Sequence, residues 1–367
     1  MFQGLRLVRA APAMAVVTLG AALSVRAFAG VDWRGTLHAL RSVGSAAPLV
    51  FVPFLGAALL DSTGVLLLLR VLGRRVALRQ LFAIRVGTEA LHYTAPAGFL
   101  VADSAAATLL HGRFGVPLSD GAVVAVARRW LVMRGHAAYI LVGAFLSAGV
   151  LAGVSRRCGV GPWLPYAVGA SALVPLVLSV GVGAAFVGKA SLVRLQRVLA
   201  RSPWEWLRRR TASWRNGAMA LDARFSRLGS SPSATWGATV AFLCCWLLES
   251  VETAVILCLV GAPFDLALAM AAEVGVSLIR AVSNVVPAGL GVQDASYATL
   301  LPAMGLSPDA AAAFVLIKRG KELVWIAAGY GLLAALRRRI AVAQSDPKAS
   351  AAVAVAPSSA LQGVVGC

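Results

Sequence analysis

Six stretches of the chain, near residues 11–29, 46–69, 121–152, 164–188, 235–260 and 308–336, are apolar over about the 20 residues that a helix needs to cross roughly 30 Å of hydrocarbon. Lipid offers no water to the peptide groups, so segments of this length must bond their own backbone, as a helix does. The composition agrees, with 59% hydrophobic and 13% charged residues and a mean hydropathy of +0.80, far from the balance of a soluble domain. The chain therefore reads as an all-α integral membrane protein.

Two further apolar regions, 80–110 and 265–303, are interrupted by Pro and Gly in their middles. Each reads as two short helices around a break, a re-entrant hairpin, with turns at Pro96 and Gly98 and at Pro287, Gly289 and Gly291. With a cytoplasmic N-terminus and hairpins that do not cross, 22 of the 34 Lys and Arg residues fall on the cytoplasmic side. The outer segments hold Arg34, Arg41, Arg156 and Arg157. That is the positive-inside distribution, with both termini in the cytoplasm.

The two hairpins resemble each other. "PAGFLVAD" at 96–103 and "PAGLGVQD" at 287–294 share Pro, Ala, Gly, Val and Asp at identical spacing. Downstream of each, a glycine is followed by a basic pair, Arg128 and Arg129 after Gly115, Lys318 and Arg319 after Gly305. Three full spans separate the hairpins, so the halves, about 46–152 and 235–336, are expected as an inverted repeat, the architecture of many secondary transporters. The whole reads as about six spans plus two hairpins in a single transmembrane domain, 1–339. A cytoplasmic linker at 189–233 and a low-complexity tail at 340–367, expected to be disordered, complete it. The linker mixes Arg with Trp204, Trp206 and Trp214. Such a mixture can stack on RNA, but in a membrane chain it reads as an amphipathic helix on anionic head groups, and no nucleic acid is expected.

Both basic pairs lie well inside their spans, where a charge costs at least about 2.5–3.5 kcal/mol unless it faces a polar cavity or a partner. Two readings stand for Arg128, Arg129, Lys318 and Arg319: binding of a lipid phosphate, or ion pairs with Asp103, Asp294, Glu249 or Glu322. Lys318 and Glu322 are four apart on one face and Arg319 and Glu322 three apart. Asp103 and Asp294 either cap the half-helices or contact cargo. A half-helix N-terminus itself favours an anion. Arg85, Glu89 and His92 precede the first turn; Arg280, Asn284 and Gln293 flank the second, where the amides of Asn284 and Gln293 can satisfy freed backbone. Glu249, Glu252 and Glu273 lie in apolar sequence, where pairing with a buried cation is the plainer reading and a proton relay the other.

At these residues, "RAVSNVVPAGLGVQDASYATL" and "GLSPDAAAAFVLIKRGKELVW", the chain resembles the lysylphosphatidylglycerol synthase transmembrane, or flippase-like, superfamily, and within it the hopanoid-associated branch. The resemblance touches Arg280, Pro287, Gly289, Gly291, Gln293, Asp294, Lys318, Arg319 and Glu322, with Asp294 standing where that branch carries Glu. The first hairpin lacks the Gly-Gly that many members have before the acid. The resemblance implies movement of lipids or lipid-linked head groups between the leaflets of a bacterial inner membrane. It also implies that the aminoacyl-transfer domain of the synthases is absent, since the chain ends about 30 residues past its last span.

No triad, phosphate-binding loop, dinucleotide fingerprint or metal-ligand spacing is present in the sequence, and the five cysteines form no framework. The expectation is a non-enzymatic lipid flippase or transporter with membrane lipids as partners and neither cofactor nor metal. A scaffold for a hopanoid or phospholipid biosynthesis enzyme and an intramembrane lipid-modifying enzyme are the alternatives. Oligomeric state is not encoded in any of these features. Arg6 and Arg9 before an apolar run ending in "VRAFAG" also fit a cleaved signal peptide, though the later spans favour an uncleaved first helix.

Overall fold

The computed structural model describes residues 18, 22, 25, 28, 31–95, 97–187, 191–212, 214–283 and 291–345. Among them the regular structure is entirely helical, as the apolar periodicity requires. An amphipathic helix α1 (Trp33–Ser42), capped by the Asp32 side chain on the Arg34 and Gly35 amides, is followed by a 3-10 turn (Gly44–Val50) that enters α2 (Phe51–Val71). Then come α3 (Leu78–Thr94), α4 (Gly98–Phe114), α5 (Leu118–Leu146), α6 (Ala148–Arg157), α7 (Leu164–Ser171) and α8 (Leu173–Val187). Three short helices form the linker: α9 (Ser191–Ala200), α10 (Glu205–Ala212) and α11 (Arg215–Gly229). The second half is α12 (Pro232–Leu259), α13 (Leu266–Ser283), α14 (Val292–Ala303) and α15 (Pro308–Ser345).

By length and apolarity, Gly44–Val71, Leu164–Ala184 and Pro232–Leu259 are span candidates, joined by α5 with α6 if that pair, bent by 71°, is one span. The sequence pattern gave no sign of this bend at Ser147. The expected first span, 11–29, lies almost wholly outside the described residues. At 38 residues α15 is long enough to cross but carries Lys318, Arg319, Lys321 and Glu322 within it, all but the part-buried Arg319 buried, so its apolarity is broken there. It also runs to Ser345, past the position where the tail was expected to begin.

The two hairpins of the sequence reading are α3 with α4 and α13 with α14. The contacts repeat between halves: α3 packs on α4 and on α15, and α13 packs on α14 and on α5. The helices that open the halves, α2 and α12, face each other. Ala57 meets Cys245, Gly64 meets Phe242 and Leu67 lies beside Gly237, so numbers fall on one helix as they rise on the other. That antiparallel run is the sense expected of corresponding helices in an inverted repeat.

Two apolar cores result. One gathers α13, α14 and the start of α15 with the far end of α5 around Tyr139, Met270, Leu301 and Phe314. The other gathers α3, α4 and the start of α5 with α11 and the end of α15 around Leu69, Leu110, Leu131 and Phe242. Each hairpin is thus rooted in its own core, and the polar groups lie between the two.

The first break is tight. Ala97 adopts a left-handed φ of 49°, strained for a residue with a Cβ, and a Cβ on Gly98 would lie 2.0 Å from the His92 carbonyl oxygen. Backbone, not a flexible side chain, occupies that space. Gly98→Ala should therefore lower stability by at least about 1–3 kcal/mol, read as the thermal midpoint in detergent, whereas Gly149→Ala, with nothing within 4 Å, should not. In a background lacking the native cysteines, a thiol at Arg113, before α5, should label from the side of the membrane opposite a thiol at Ser307, before α15. Labelling of both from one side would refute the inverted arrangement.

Candidate functional site

Arg128 and Lys318 each lie ten residues after the start of their helices, α5 at Leu118 and α15 at Pro308. At 1.5 Å per residue that is about 15 Å, half the hydrocarbon thickness. A helix that enters at the membrane surface would carry either charge to mid-membrane depth, and the structure shows what meets them.

In the first half, neighbouring residues on α5 point about 100° apart, so Arg128 and Arg129 serve different partners. Arg128 forks onto Asp61 of α2, its Nε donating to Oδ1 at 3.0 Å and Nη2 to Oδ2, and its Nη1 reaches Asp103 at 3.4 Å. Arg129 donates from Nε to Asp103 Oδ2 at 2.5 Å and from Nη2 to the Phe99 carbonyl at 3.2 Å, with its guanidinium over the Phe99 ring. Arg85 of α3 completes the cluster, 3.4 Å from Asp61 and paired with Glu89 one turn on.

The second half repeats one of these contacts and replaces the other. Arg319 donates from Nε to Asp294 Oδ1 at 2.7 Å, as Arg129 does to Asp103, and from Nη1 to Glu322 at 2.5 Å. Lys318 turns to Glu273 of α13 at 2.6 Å and donates to the Tyr297 hydroxyl at 2.9 Å. Tyr297 and Thr253 in turn donate to the same Glu273 oxygen, at 2.7 and 2.5 Å. Lys321 pairs with Glu252 of α12. The expectation that Lys318 would use Glu322 is corrected: the i,i+4 spacing permits it, but the short Glu273 bond and two hydroxyls hold the ammonium on the other side.

The two hairpin acids differ. Asp294 lies in the first turn of α14, where its Oδ2 accepts the Gly291 amide at 2.9 Å while Oδ1 takes Arg319. It both caps the helix and pairs. Asp103 lies in the second turn of α4, because that helix begins at Gly98, and it binds two guanidiniums instead of capping.

Between the clusters lies a cavity of about 610 Å³. Of the residues singled out in the sequence, Arg85, Glu89, Asp103, Arg128, Arg129, Gln293, Lys318 and Glu322 line it, along with the first-turn residue Gly98. Asp294 and Arg319 sit beside it around a much smaller void. Pro96, Asn284, Pro287, Gly289 and the side chain of Arg280 lie outside the described residues.

Two lining charges escaped the sequence reading, Asp61 and Lys321. Asp61 had a signal, being the lone acid in the run 46–69, and Lys321 follows Lys318 by three residues on the same helical face. With them the described lining holds five cations, Arg85, Arg128, Arg129, Lys318 and Lys321. Six carboxylates accompany them: Asp61, Glu89, Asp103, Glu249, Glu252 and Glu322. The cavity is not a bare cationic trap. An incoming anion must take a cation from a carboxylate that already holds it.

A family model described as the lysylphosphatidylglycerol synthase TM region matches residues 13–329, most of the chain. No match was found among curated proteins or among solved structures.

Breaking a buried ion pair costs about 3–5 kcal/mol because the surviving charge is stranded. Asp61→Asn takes from Arg128 the carboxylate it forks onto and leaves it only the 3.4 Å contact to Asp103, while Arg85 keeps Glu89, so the loss should fall near the lower end of that range, about 3 kcal/mol; Glu205→Gln, in an exposed pair with Arg209, should stay within about 0.5 kcal/mol of the parent. Thermal unfolding in one detergent compares the two. Similar effects from both would show that Asp61 is not what holds the first cluster.

Proposed function

The chain belongs to the lysylphosphatidylglycerol synthase TM-region family of membrane proteins, and from that premise we propose that it moves a lipid or lipid-linked head group between the leaflets of a bacterial inner membrane. It does so as a transporter and not as an enzyme, with both termini in the cytoplasm and with cargo drawn from phospholipids, aminoacyl lipids or hopanoids.

One observation carries this reading: a charged cavity at mid-membrane depth, walled by two oppositely directed hairpins, in which every described cation shares its site with a carboxylate. Fixed pairs of this kind lower the cost of a polar passage through hydrocarbon. They also let a head-group phosphate exchange for a carboxylate, so that a cation is not left bare when cargo leaves. The hydrogen-bonded environment of Lys318, with three polar partners and no bidentate clamp, suits such exchange better than the fork between Arg128 and Asp61.

The test is lipid transfer by purified protein in vesicles containing labelled phospholipids, aminoacyl lipids or hopanoids. Lys318→Gln and Arg128→Gln leave the Arg129–Asp103 and Arg319–Asp294 pairs in place and should slow transfer at least about tenfold, equivalent to 1.4 kcal/mol of lost stabilisation, in protein that remains folded. Wild-type inactivity toward all three lipid classes would overturn transport in favour of a scaffold for a lipid-biosynthesis enzyme. Product formed from lipid donors by the purified protein would overturn the non-enzymatic assignment.

A further inference from the structure

The cavity has a side door. Val174, Pro175 and Leu178, on one face of α8, line it, yet Val174 and Leu178 are 59% and 53% exposed. Residues that both line a cavity and lie open to the surroundings mark its mouth. They fall ten and fourteen residues into the span Leu164–Ala184, about 15–21 Å along its axis, which places the mouth within the hydrocarbon and away from the water on either side.

Behind the mouth the lining changes in order. Val132 and Met133 of α5 come one turn after Arg129 on the same face and line the cavity with it, so apolar side chains and the Arg129 guanidinium share one wall. The Arg129 side chain is 30% exposed, against 12% for Arg128, although Asp103 and the Phe99 carbonyl hold it. Of the two α5 guanidiniums that line the cavity, Arg129 is the more accessible.

We propose that this mouth, framed by α8 and the α4 end of the first hairpin, admits an acyl lipid whose phosphate reaches Arg129 while its chains stay in the bilayer against Val174 and Leu178. The inference rests on the transport reading and names the cargo class and its route. A water-soluble solute has no access to a mouth that opens into hydrocarbon. A lipid satisfies both ends of the passage, with apolar surface at α8 and an anion at the guanidinium.

A photoreactive benzophenone side chain at Met133, inside the mouth, tests it in vesicles of phosphatidylethanolamine and phosphatidylglycerol. Illumination should give a phospholipid adduct, identified by mass spectrometry. Leu178→Trp, which narrows the mouth, should reduce that adduct and slow transfer about tenfold. Val177→Trp, at a neighbouring position of α8 that is 65% exposed and does not line the cavity, should change neither. Absence of an adduct at Met133, or equal effects of the two tryptophans, would overturn the route. An adduct with a phosphate-free lipid alone would overturn the cargo class. Because the adduct reports entry without requiring transfer, an adduct in protein that transfers no lipid would sink the transport reading and leave the mouth standing.

Discussion

The structure depends on one interaction made twice, the guanidinium of a through-helix closed on the carboxylate of a broken hairpin: Arg129 on Asp103 and Arg319 on Asp294. Each member alone would be costly at this depth. An unpaired arginine in hydrocarbon is penalised by several kcal/mol, and a half-helix that stops inside the membrane leaves backbone donors without partners. In both halves the carboxylate neutralises the arginine, and in the second half alone it meets the other demand as well, its second oxygen accepting the Gly291 amide at the start of α14. Two faults that lipid would not tolerate separately become a stable joint when placed together.

From that joint the asymmetry of the halves follows. The residue before each hairpin-binding arginine points to a different helix, and the chemistry there diverges. Arg128 forks onto a single carboxylate from α2, and Lys318 is a point charge in a nest of Glu273, Tyr297 and Thr253. A planar fork is matched by one partner in one orientation, whereas an ammonium accepts several arrangements of oxygens. The two halves thus share a frame but hold their inner cations with different rigidity.

Much of this was legible in the sequence because the signals obey the physics of lipid. Apolar length marked the span candidates between 44 and 259, and Pro-Ala-Gly within apolar sequence marked the break between α3 and α4. The repeated order of turn, acid and basic pair located most of the cavity's charges. What was not legible depends on distance in space. Nothing near Asp61 in sequence says that Arg128, 67 residues on, will close on it, and the i,i+4 relation of Lys318 to Glu322 pointed to the wrong partner because Glu273 comes from another helix. The capping role of an acid turned on where its helix begins. A five-residue offset at Asp103 and a two-residue offset at Asp294 separate an ion-pair acid from a cap.

The same inverted logic extends to the ends of the through-helices, where it is unequal. Near the start of α5, buried Asp120 accepts from Arg74, at the entrance to the first hairpin, at 2.7 Å and from Arg224 of α11 at 2.5 Å, which ties the basic linker to the hairpin's root. Near the start of α15, Asp309 accepts the backbone amide of Asp32, before α1, at 3.1 Å in an exposed setting. Both carboxylates accept charge-assisted bonds, but the buried one is shielded from competing water and takes two donors where the exposed one takes a single amide. The linker, rich in Arg and with Trp204, Trp206 and Trp214 exposed, has the composition of a segment that rests on anionic head groups, so the first hairpin is anchored through Asp120 to the element best suited to grip the membrane surface.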